Sequence, residues 1–233
     1  MIDIRNFENR ELAKYIQFTN TSPNVTRQGM VKHAELSAEH GFNAAMVPMC
    51  WVPLVKDILA GTGVKVATFF GFGMGYESSF SKLAMMRECV ALGADEVDYE
   101  PNMSWFLSGM YDEFRNEAIL LKAAAQGMPI KPMLEFGMLK TVEEKIKIAQ
   151  LIDEAELEWI KNSSGGGPFG IAATPEDIKI LFDTVSSSCK VKASGKVNSF
   201  EKMVSLFDAG AVLVGTSSGI QILNRTLASA TNY

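Results

Sequence analysis

The sequence alternates short apolar runs with longer amphipathic segments, and this alternation repeats about eight times along the 233 residues. Such a pattern is typical of parallel βα units, in which each strand is followed by a crossover helix. The predicted strands cover residues 14–19, 44–48, 65–70, 95–99, 130–135, 158–162, 190–194 and 211–215. The first of them, which contains YIQFT, equally fits the end of a preceding helix.

The predicted helices have clear boundaries. Thr141 and Glu144 have the spacing of a capping box, and Thr174 is followed by Pro175 at the first helical position. A glycine supplies the left-handed turn that ends a helix. Several segments end in this way before the next strand, at Gly41, Gly93 and Gly210.

Eight strands and eight helices in a chain of this length favour a closed (β/α)8 TIM barrel over an open doubly wound sheet. The length is near the upper limit for one hydrophobic core. No segment has the composition of a linker or a low-complexity region. We therefore predict a single α/β domain over residues 1–233.

The charge balance excludes some classes of partner. A net charge of -5 and a pI near 5.2 argue against binding to nucleic acid, which needs a basic face. A local anion pocket remains compatible with this charge, because a few backbone N–H groups can bind one phosphate. The longest apolar runs are too short to span a bilayer, so no membrane association is expected.

Cysteine usage and the first residues bear on location. The chain has three cysteines at wide spacings with no CxxC pair, which indicates neither a disulfide framework nor a zinc cluster. The opening segment MIDIRNFENRELAKYIQF has scattered charges and no apolar stretch of the signal-peptide kind. The cytoplasm is therefore the expected location.

In a (β/α)8 barrel, functional residues lie at the carboxyl ends of the strands. Lys161 lies there in EWIKNSSG, at the end of the sixth predicted strand, while Asp98 ends the fourth and Lys192 lies within the seventh. Taken singly, each fits a solvated edge residue or a structural ion pair equally well. Because two lysines and one aspartate converge on one mouth, a functional site is the favoured interpretation.

Two neighbouring lysines suit Schiff-base chemistry. A lysine amine is normally protonated, but a second ammonium group and partial desolvation both lower its pKa, to roughly 7–8 in enzymes. Lys161 and Lys192 are thus a plausible nucleophile and pKa-lowering partner, with Asp98 moving protons. By this chemistry either lysine can have either role.

The final third of the chain also indicates an anion site. ASGK follows the seventh strand and GTSSG follows the eighth, where such barrels usually bind phosphate. Glycine lets the backbone approach a ligand closely, and serines offer hydroxyl and N–H groups. Tight βα turns alone would explain the same residues. The candidates are Ser194, Gly195, Lys196, Gly215, Ser217, Ser218 and Gly219.

Six segments resemble the deoxyribose-phosphate aldolases: residues 41–75, 92–109, 133–139 (MLEFGML), 159–166 (WIKNSSGG), 191–197 (VKASGKV) and 209–223. The resemblance implies a TIM barrel and a class I aldolase, a lyase of deoxyribonucleoside catabolism that needs no metal or organic cofactor. It implies reversible cleavage of 2-deoxy-D-ribose 5-phosphate to D-glyceraldehyde 3-phosphate and acetaldehyde, with these small molecules as partners. A homodimer is expected from the family.

The resemblance also assigns roles. It implies that Lys161 forms the Schiff base, that Lys192 is the neighbouring cation and that Asp98 transfers protons. It places phosphate at Gly195, Ser217 and Ser218, with Ser164 and Gly165 alongside, and it includes Thr19 at the end of the first strand.

Some residues depart from the family pattern. Gln17 stands where an aspartate is usual, Met46 where a cysteine is common, and Gly73 where proline is common. Asn162 and Lys196 replace a threonine and a glycine. Sequence drift explains each change. The changes at Gln17 and Met46 also suggest an altered aldehyde or sugar-phosphate substrate, and a weakly active sugar-phosphate-binding homologue is the further alternative.

Residues outside these motifs are expected to be structural. His33 and His40 lie on a predicted helix among charged neighbours, so we interpret both as surface residues. Tyr233 is the final residue, and we interpret it as part of a frayed end rather than a proton donor over the mouth. The thirteen methionines show no metal-binding spacing, and we expect no metal site.

Overall fold

The computed structural model describes residues 1–226. Its strands are β1 Ile16–Thr19, β2 Ala44–Met46, β3 Lys65–Phe70, β4 Glu96–Tyr99, β5 Ile130–Pro132, β6 Trp159–Lys161, β7 Lys190–Ser194 and β8 Ala211–Thr216. Its helices are α1 Asn9–Ala13, α2 Arg27–His40, α3 Val52–Leu59, α4 Ser79–Ala91, α5 Met103–Leu107, α6 Tyr111–Ala124, α7 Val142–Glu154, α8 Pro175–Thr184, α9 Phe200–Asp208 and α10 Gly219–Leu223. Short 3-10 turns cover Met49–Trp51 and Phe136–Met138.

All strand pairs are parallel, and the order β5-β4-β3-β2-β1-β8-β7-β6 leaves β5 and β6 as the two edges. These edges meet through one parallel bridge between Met133 and Lys161. Leu134 N–H donates to the Lys161 carbonyl at 2.9 Å, and Phe136 N–H donates to the Asn162 carbonyl at 3.1 Å. The predicted (β/α)8 barrel is therefore confirmed. It closes where β5 and β6 meet, and we call this junction the seam.

Five strands are shorter than the sequence predicts, namely β1, β2, β4, β5 and β6. The chain before β1 belongs to the turn that follows α1, since Tyr15 N–H donates to the Leu12 carbonyl at 3.0 Å. At β5 the strand ends at Pro132 because Glu135 adopts a left-handed backbone, with φ of +37°, and leads into the 3-10 turn. The residues after Pro132 have strand propensity, but from Leu134 onward their backbone turns away from β4 and forms the contacts with β6 instead.

The predicted helix boundaries are confirmed by their capping contacts. Thr141 Oγ1 accepts from Glu144 N–H at 3.2 Å, and Glu144 Oε2 accepts from Thr141 N–H at 3.1 Å, which completes the capping box. Thr174 caps α8 through Asp177 N–H at 3.1 Å. Gly41 ends α2 in the left-handed conformation.

The hydrophobic core lies mainly outside the barrel, between strands and helices. On each strand every second residue packs outward, as Val97 and Tyr99 do on β4. Inside the barrel the fully apolar cluster is small and consists of Ala44, Met46 and Ala67. Many of the remaining interior positions are polar or charged, among them Gln17, Glu96, Asp98, Lys131, Lys161 and Lys192, and these side chains form the site.

None of the helices in residues 1–226 is long and apolar enough to cross a membrane. Tyr233 lies outside the described residues.

A buried ion pair joins two neighbouring helices of the outer layer. Lys82 on α4 donates to Glu117 on α6 at 2.9 Å, with side-chain exposures of 0% and 1%. Glu117 also accepts from Asn102 N–H at 3.1 Å and from the Ser79 hydroxyl at 3.1 Å. The carboxylate thus holds α4, α6 and the β4–α5 connection together.

Lys82→Met should destabilise the fold strongly, because it leaves the Glu117 carboxylate buried without its counter-ion. We expect a loss of about 3 to 5 kcal/mol in the free energy of unfolding. Denaturant titration of purified protein measures this change. The double variant Lys82→Met with Glu117→Gln should recover part of the loss.

Lys179→Met is the matched control, since Lys179 pairs with Asp183 on the exposed surface of α8. It should change the free energy of unfolding by less than about 0.5 kcal/mol. Equal effects of the two lysine substitutions would contradict the role given to the buried pair.

Candidate active site

The mouth of the barrel holds three charged side chains that meet at one oxygen atom. The Lys161 amine donates to Asp98 Oδ2 at 2.8 Å, and the Lys192 amine donates to the same oxygen at 2.6 Å. All three residues are buried, with exposures of 5% for Lys161 and 1% for both Lys192 and Asp98. The structure brings together the three residues that the sequence singled out.

Strand alternation explains why these side chains meet. Asp98 lies between two outward-facing residues of β4, so its carboxylate points into the barrel. On β6 and β7, Lys161 and Lys192 are direct partners in the parallel register. Three different strands therefore place their charged groups at one level of the barrel.

A second layer of buried polar groups adjoins this level. Glu96, two residues before Asp98 on β4, accepts from Lys65 Nζ at 2.6 Å and also from Lys131 Nζ. Gln17 on β1 donates from Nε2 to Glu96 Oε2 at 2.6 Å, and its Oε1 accepts from Lys192 Nζ. One hydrogen-bonded network thus runs from β3 and β5 to the lysine pair.

Sequence reasoning missed Glu96 and Lys131. Each lies two residues before an inward-facing position, Glu96 before Asp98 and Lys131 before Met133. Because side chains on one face of a strand recur every two residues, this spacing was the signal that could have revealed them.

The buried charges are not balanced when every lysine is protonated. Lys131, Lys161 and Lys192 face two carboxylates, Glu96 and Asp98. Burial, together with the neighbouring Lys161 and Lys131, lowers the pKa of Lys192 to about 7 against the opposing effect of Asp98. Burial alone would raise the pKa of Asp98, but the three lysines hold it well below its usual range. Near neutral pH the site therefore combines an ionised carboxylate with a lysine that exchanges its proton readily.

A narrow cavity opens onto the lysine pair. Hydroxyl groups and apolar side chains both line this cavity. They belong to Thr19, Thr21, Ser164 and Ser194, and to Met46, Phe69, Phe72 and Met133. A small polar molecule bound here would lie beside the amines and against an apolar wall.

Of the other predicted site residues, Gly165 and Gly195 form the rim of the cavity, next to Ser164 and Ser194 that line it. Gly165 and Gly195 are in close contact, since a Cβ on Gly165 would lie 2.8 Å from Gly195 Cα. Gly215 lies inside the barrel beside Lys192. Lys196 and Ser217 are exposed and do not line the cavity. Ser218 is buried at the start of α10, and its N–H donates to Thr216 Oγ1 at 2.9 Å.

Asn162 has a structural function that explains one departure from the family pattern. Its Nδ2 donates to the Ser194 carbonyl at 3.0 Å, and its Oδ1 accepts from Ser194 N–H at 2.9 Å. The amide therefore mimics a backbone partner and extends the β6–β7 pairing beyond Lys161. Gly73 has a φ of +73°, which the proline common at this position could not adopt.

Two buried carboxyl groups support the loops, and sequence reasoning missed both. Glu135 accepts from Ser164 N–H and from the Ser163 hydroxyl, so it anchors the loop after β6. Glu100 accepts from Gly73 N–H at 3.3 Å in the loop after β3. Burial and the nearby Glu135 raise the pKa of Glu100 well above its usual value. Both acids sit where strands become loops, two residues after the inward-facing Asp98 and Met133, so the same two-residue spacing was the signal that could have revealed them.

The prediction that His33 is a surface residue is wrong. Its exposure is 5%, its Nε2 lies 3.2 Å from the Phe18 carbonyl, and its ring stacks on Phe18 with centroids 4.5 Å apart. Burial lowers the pKa of His33 to about 4. His33 and Ser217 line a cleft next to the cavity that shares Thr19 and Thr21 with it.

Fold and site together define a (β/α)8-barrel enzyme whose site is built around buried amines. No family model matches the chain. A deoxyribose-phosphate aldolase from Brevibacillus brevis is 36% identical over 222 residues, which cover 95% of this chain and 99% of that protein. Another from Thermoanaerobacter sp. is 37% identical over 215 residues, covering 91% of this chain and 95% of that protein.

Among solved structures, the aldolase QR15 matches with a TM-score of 0.85 and 30% identity, covering 96% of both chains. The chain therefore belongs to the deoxyribose-phosphate aldolase family. The resemblance seen in the sequence is confirmed.

Asp98→Asn should change the titration of the neighbouring lysine. The substitution removes the anion that both amines contact, so the ammonium form of Lys192 loses its counter-charge. We expect the pKa of Lys192 to fall from about 7, by roughly one unit or more. NMR titration of isotope-labelled lysine side chains measures the shift, with the Lys192 signal assigned from a Lys192→Met variant.

Asp177→Asn is the control, because Asp177 binds Lys145 at 2.6 Å between α7 and α8, outside the barrel. It should leave the titration of Lys192 unchanged. The site geometry would be contradicted if Lys192 titrated identically in the Asp98→Asn variant and the unaltered protein.

Proposed function

We propose that the protein is a class I aldolase that reversibly cleaves 2-deoxy-D-ribose 5-phosphate to D-glyceraldehyde 3-phosphate and acetaldehyde. The observation that carries this proposal is the pair of buried amines that share one oxygen of Asp98. Membership of the deoxyribose-phosphate aldolase family supports the choice of substrate. The chemistry uses a lysine amine alone, so the proposal calls for no metal or organic cofactor.

Lys161 is the proposed nucleophile. It ends β6 at the cavity, and Lys192 is the more enclosed of the two, held by Gln17 as well as Asp98. Attack of the neutral amine on the C1 aldehyde forms a carbinolamine, and loss of water gives the iminium ion. The family resemblance supports the same choice.

Asp98 is the proposed route for the protons of this step. Its Oδ2 contacts both amines, so a proton released when Lys161 attacks can pass through the carboxylate to Lys192. With a pKa of about 7, Lys192 can accept this proton and return it near neutral pH. The aldehyde oxygen takes one proton from water as the carbinolamine forms, and the proton returned by Lys192 then lets the hydroxyl leave as water.

The iminium ion then draws electrons from the C2–C3 bond of the sugar. As the C3 hydroxyl gives its proton to the neutral Lys192 amine through water and Asp98, this bond breaks and carbons C3 to C5 leave as glyceraldehyde 3-phosphate. Carbons C1 and C2 remain on Lys161 as an enamine. Protonation at C2 and hydrolysis by water release acetaldehyde and restore the amine.

The rim is the proposed phosphate site. Gly165 and Gly195 have left-handed backbones, with φ of +78° and +110°, and they bring two loops into contact beside the cavity. Lys196 is exposed next to them and supplies a positive charge. The proposed ligands are Ser164, Gly165, Gly195, Lys196, Ser217 and Ser218, with Thr19, Ser194 and Gly215 closer to the sugar. Binding energy from the phosphate would fix the reacting carbons beside Lys161.

We further infer a cytoplasmic enzyme that associates as a homodimer. All three cysteines are unpaired, which suits a reducing compartment. Tyr76 and Phe80 are 68% and 81% exposed on one segment, and such aromatic exposure favours association. A related structure from Aeropyrum pernix is described as tetrameric. The molar mass measured by light scattering should distinguish a dimer of this protein from a tetramer.

Lys161→Met should abolish turnover, because it removes the amine that forms the imine. Borohydride reduction in the presence of 2-deoxyribose 5-phosphate should add mass to the peptide that contains Lys161 in the unaltered protein and not in the variant. Circular dichroism should show that the variant is folded. An adduct on another lysine would refute the assignment.

Lys190→Met is the matched control for that experiment. Lys190 lies at the exposed start of β7, two residues before Lys192, and its amine lies over the Trp159 ring. This variant should keep turnover and the Lys161 adduct.

Lys196→Met should weaken binding of the phosphorylated substrate. Because the lysine is exposed, we expect KM to rise only about two- to fivefold, with kcat nearly unchanged. Steady-state kinetics with unphosphorylated 2-deoxyribose should show no such rise in KM. Added salt should reduce the difference in KM between the variant and the unaltered protein for the phosphorylated substrate. A fall in kcat on both substrates would contradict a role restricted to phosphate.

A further inference from the structure

Gln17 is an uncharged side chain within a network of buried charges. It is fully buried on β1, between Gly215 of β8 and Ala44 of β2. Its Nε2 donates to Glu96 Oε2 at 2.6 Å, and its Oε1 accepts from Lys192 Nζ. Through this one amide, the carboxylate of the second layer is connected to the lysine pair.

The chemistry of the two neighbours fixes the orientation of the amide. A lysine amine in its charged form only donates hydrogen bonds, so it must face the oxygen. An ionised carboxylate only accepts, so it must face the nitrogen. Reversing the amide would break both bonds, and Gln17 therefore holds Lys192 in one position relative to Asp98.

We propose that Gln17 is a positioning residue of the lysine pair: its neutral amide transmits the anchoring of Glu96 to the Lys192 amine without placing a second anion beside that amine. The inference rests on the proposed function, since it assumes that the pair exchanges a proton during imine formation.

The charges around Lys192 show why neutrality matters. Facing it are Asp98 and Glu96 from β4, Lys131 from β5 and Lys161 from β6, and Lys65 of β3 is bound to Glu96. Strands β1, β2 and β8 contain no ionisable side chain. Asp98 is thus the anion in direct contact with Lys192, and it favours the ammonium form of that lysine. Burial and two nearby lysines outweigh this effect and lower the pKa of Lys192 to about 7. A second carboxylate in contact would favour the ammonium form and remove Lys192 from the neutral range.

Substitution of Gln17 can test this in two directions. Gln17→Glu keeps the shape and adds the excluded anion, so the pKa of Lys192 should rise by about one unit or more. Gln17→Leu removes the acceptor of the ammonium group, so the pKa of Lys192 should fall. NMR titration of isotope-labelled lysine side chains reads both shifts directly, with no need for turnover.

The second measurement is the rate of borohydride trapping by acetaldehyde as a function of pH. For Gln17→Glu we expect trapping at pH 6 to slow by about tenfold and to recover at higher pH, as follows from a one-unit rise. For Gln17→Leu the pH at which the trapping rate falls on the acid side should move to a lower value. A residue that only supports the fold would change both variants in the same direction.

Gln150→Glu is the matched control, because Gln150 is exposed on α7 and its substitution adds the same charge away from the barrel interior. It should leave the titration of Lys192 and the pH profile unchanged. Denaturant unfolding of each variant separates a shifted titration from a loss of structure.

The outcomes distinguish this inference from the proposed function. If the unaltered protein forms no reducible adduct, the proposed function fails, while the NMR titrations still decide the effect of Gln17 on Lys192. If the adduct forms and Lys192 titrates identically in folded Gln17→Glu, Gln17→Leu and unaltered protein, the inference on Gln17 is overturned and the aldolase proposal stands. Shifts in the same direction in both variants would also overturn it.

Discussion

The structure depends on one oxygen atom, Asp98 Oδ2, at which two lysines from neighbouring strands meet inside a closed barrel. Burying an ion is costly unless partners replace the water it loses. Here every partner except Lys65 is itself buried and needs a further partner. Lys192 donates hydrogen bonds to Asp98 and Gln17, and Gln17 donates to Glu96. Glu96 in turn accepts from Lys65 and Lys131. The excess of buried lysines over carboxylates makes loss of one proton favourable. The reactivity of the site thus follows from how the barrel interior is filled.

Much of this arrangement could be predicted from the sequence, because strand period and barrel topology act locally. A charged residue within or at the end of an apolar barrel strand projects into the interior or disrupts the packing, and this placed Lys161, Lys192 and Asp98 correctly inside the barrel. The second layer was not predicted, since Glu96 and Lys131 resemble residues that begin or flank strands until their register is known. His33 was misassigned for a related reason: its helix has charged neighbours, yet its own face packs on Phe18.

The loops were the least predictable part, because their conformation depends on contacts between segments distant in sequence. The loop after β3 meets the loop after β6 where Gly73 and Gly167 nearly touch, a Cβ on Gly73 lying 3.1 Å from Gly167 Cα. Glu100 and Glu135 anchor these two loops through backbone N–H groups. A glycine-rich composition indicates that such approaches are allowed, but it does not specify which loops approach each other.

The seam between β5 and β6 has a consequence for folding. These strands are consecutive in the chain, yet they are the two edges of the sheet, joined by one bridge that includes Lys161 itself. The segment from β1 to β5 contains Asp98, and the segment from β6 to β8 contains both of its lysine partners. The first segment pairs Glu96 with its own Lys65 and Lys131, but Asp98 lacks its two amine partners until the second segment joins it. The strand β8 must also return to β1 before the interior is complete. A half-formed barrel would contain charged side chains without their counter-ions. Because this raises the free energy of partly folded structures, the barrel should fold cooperatively.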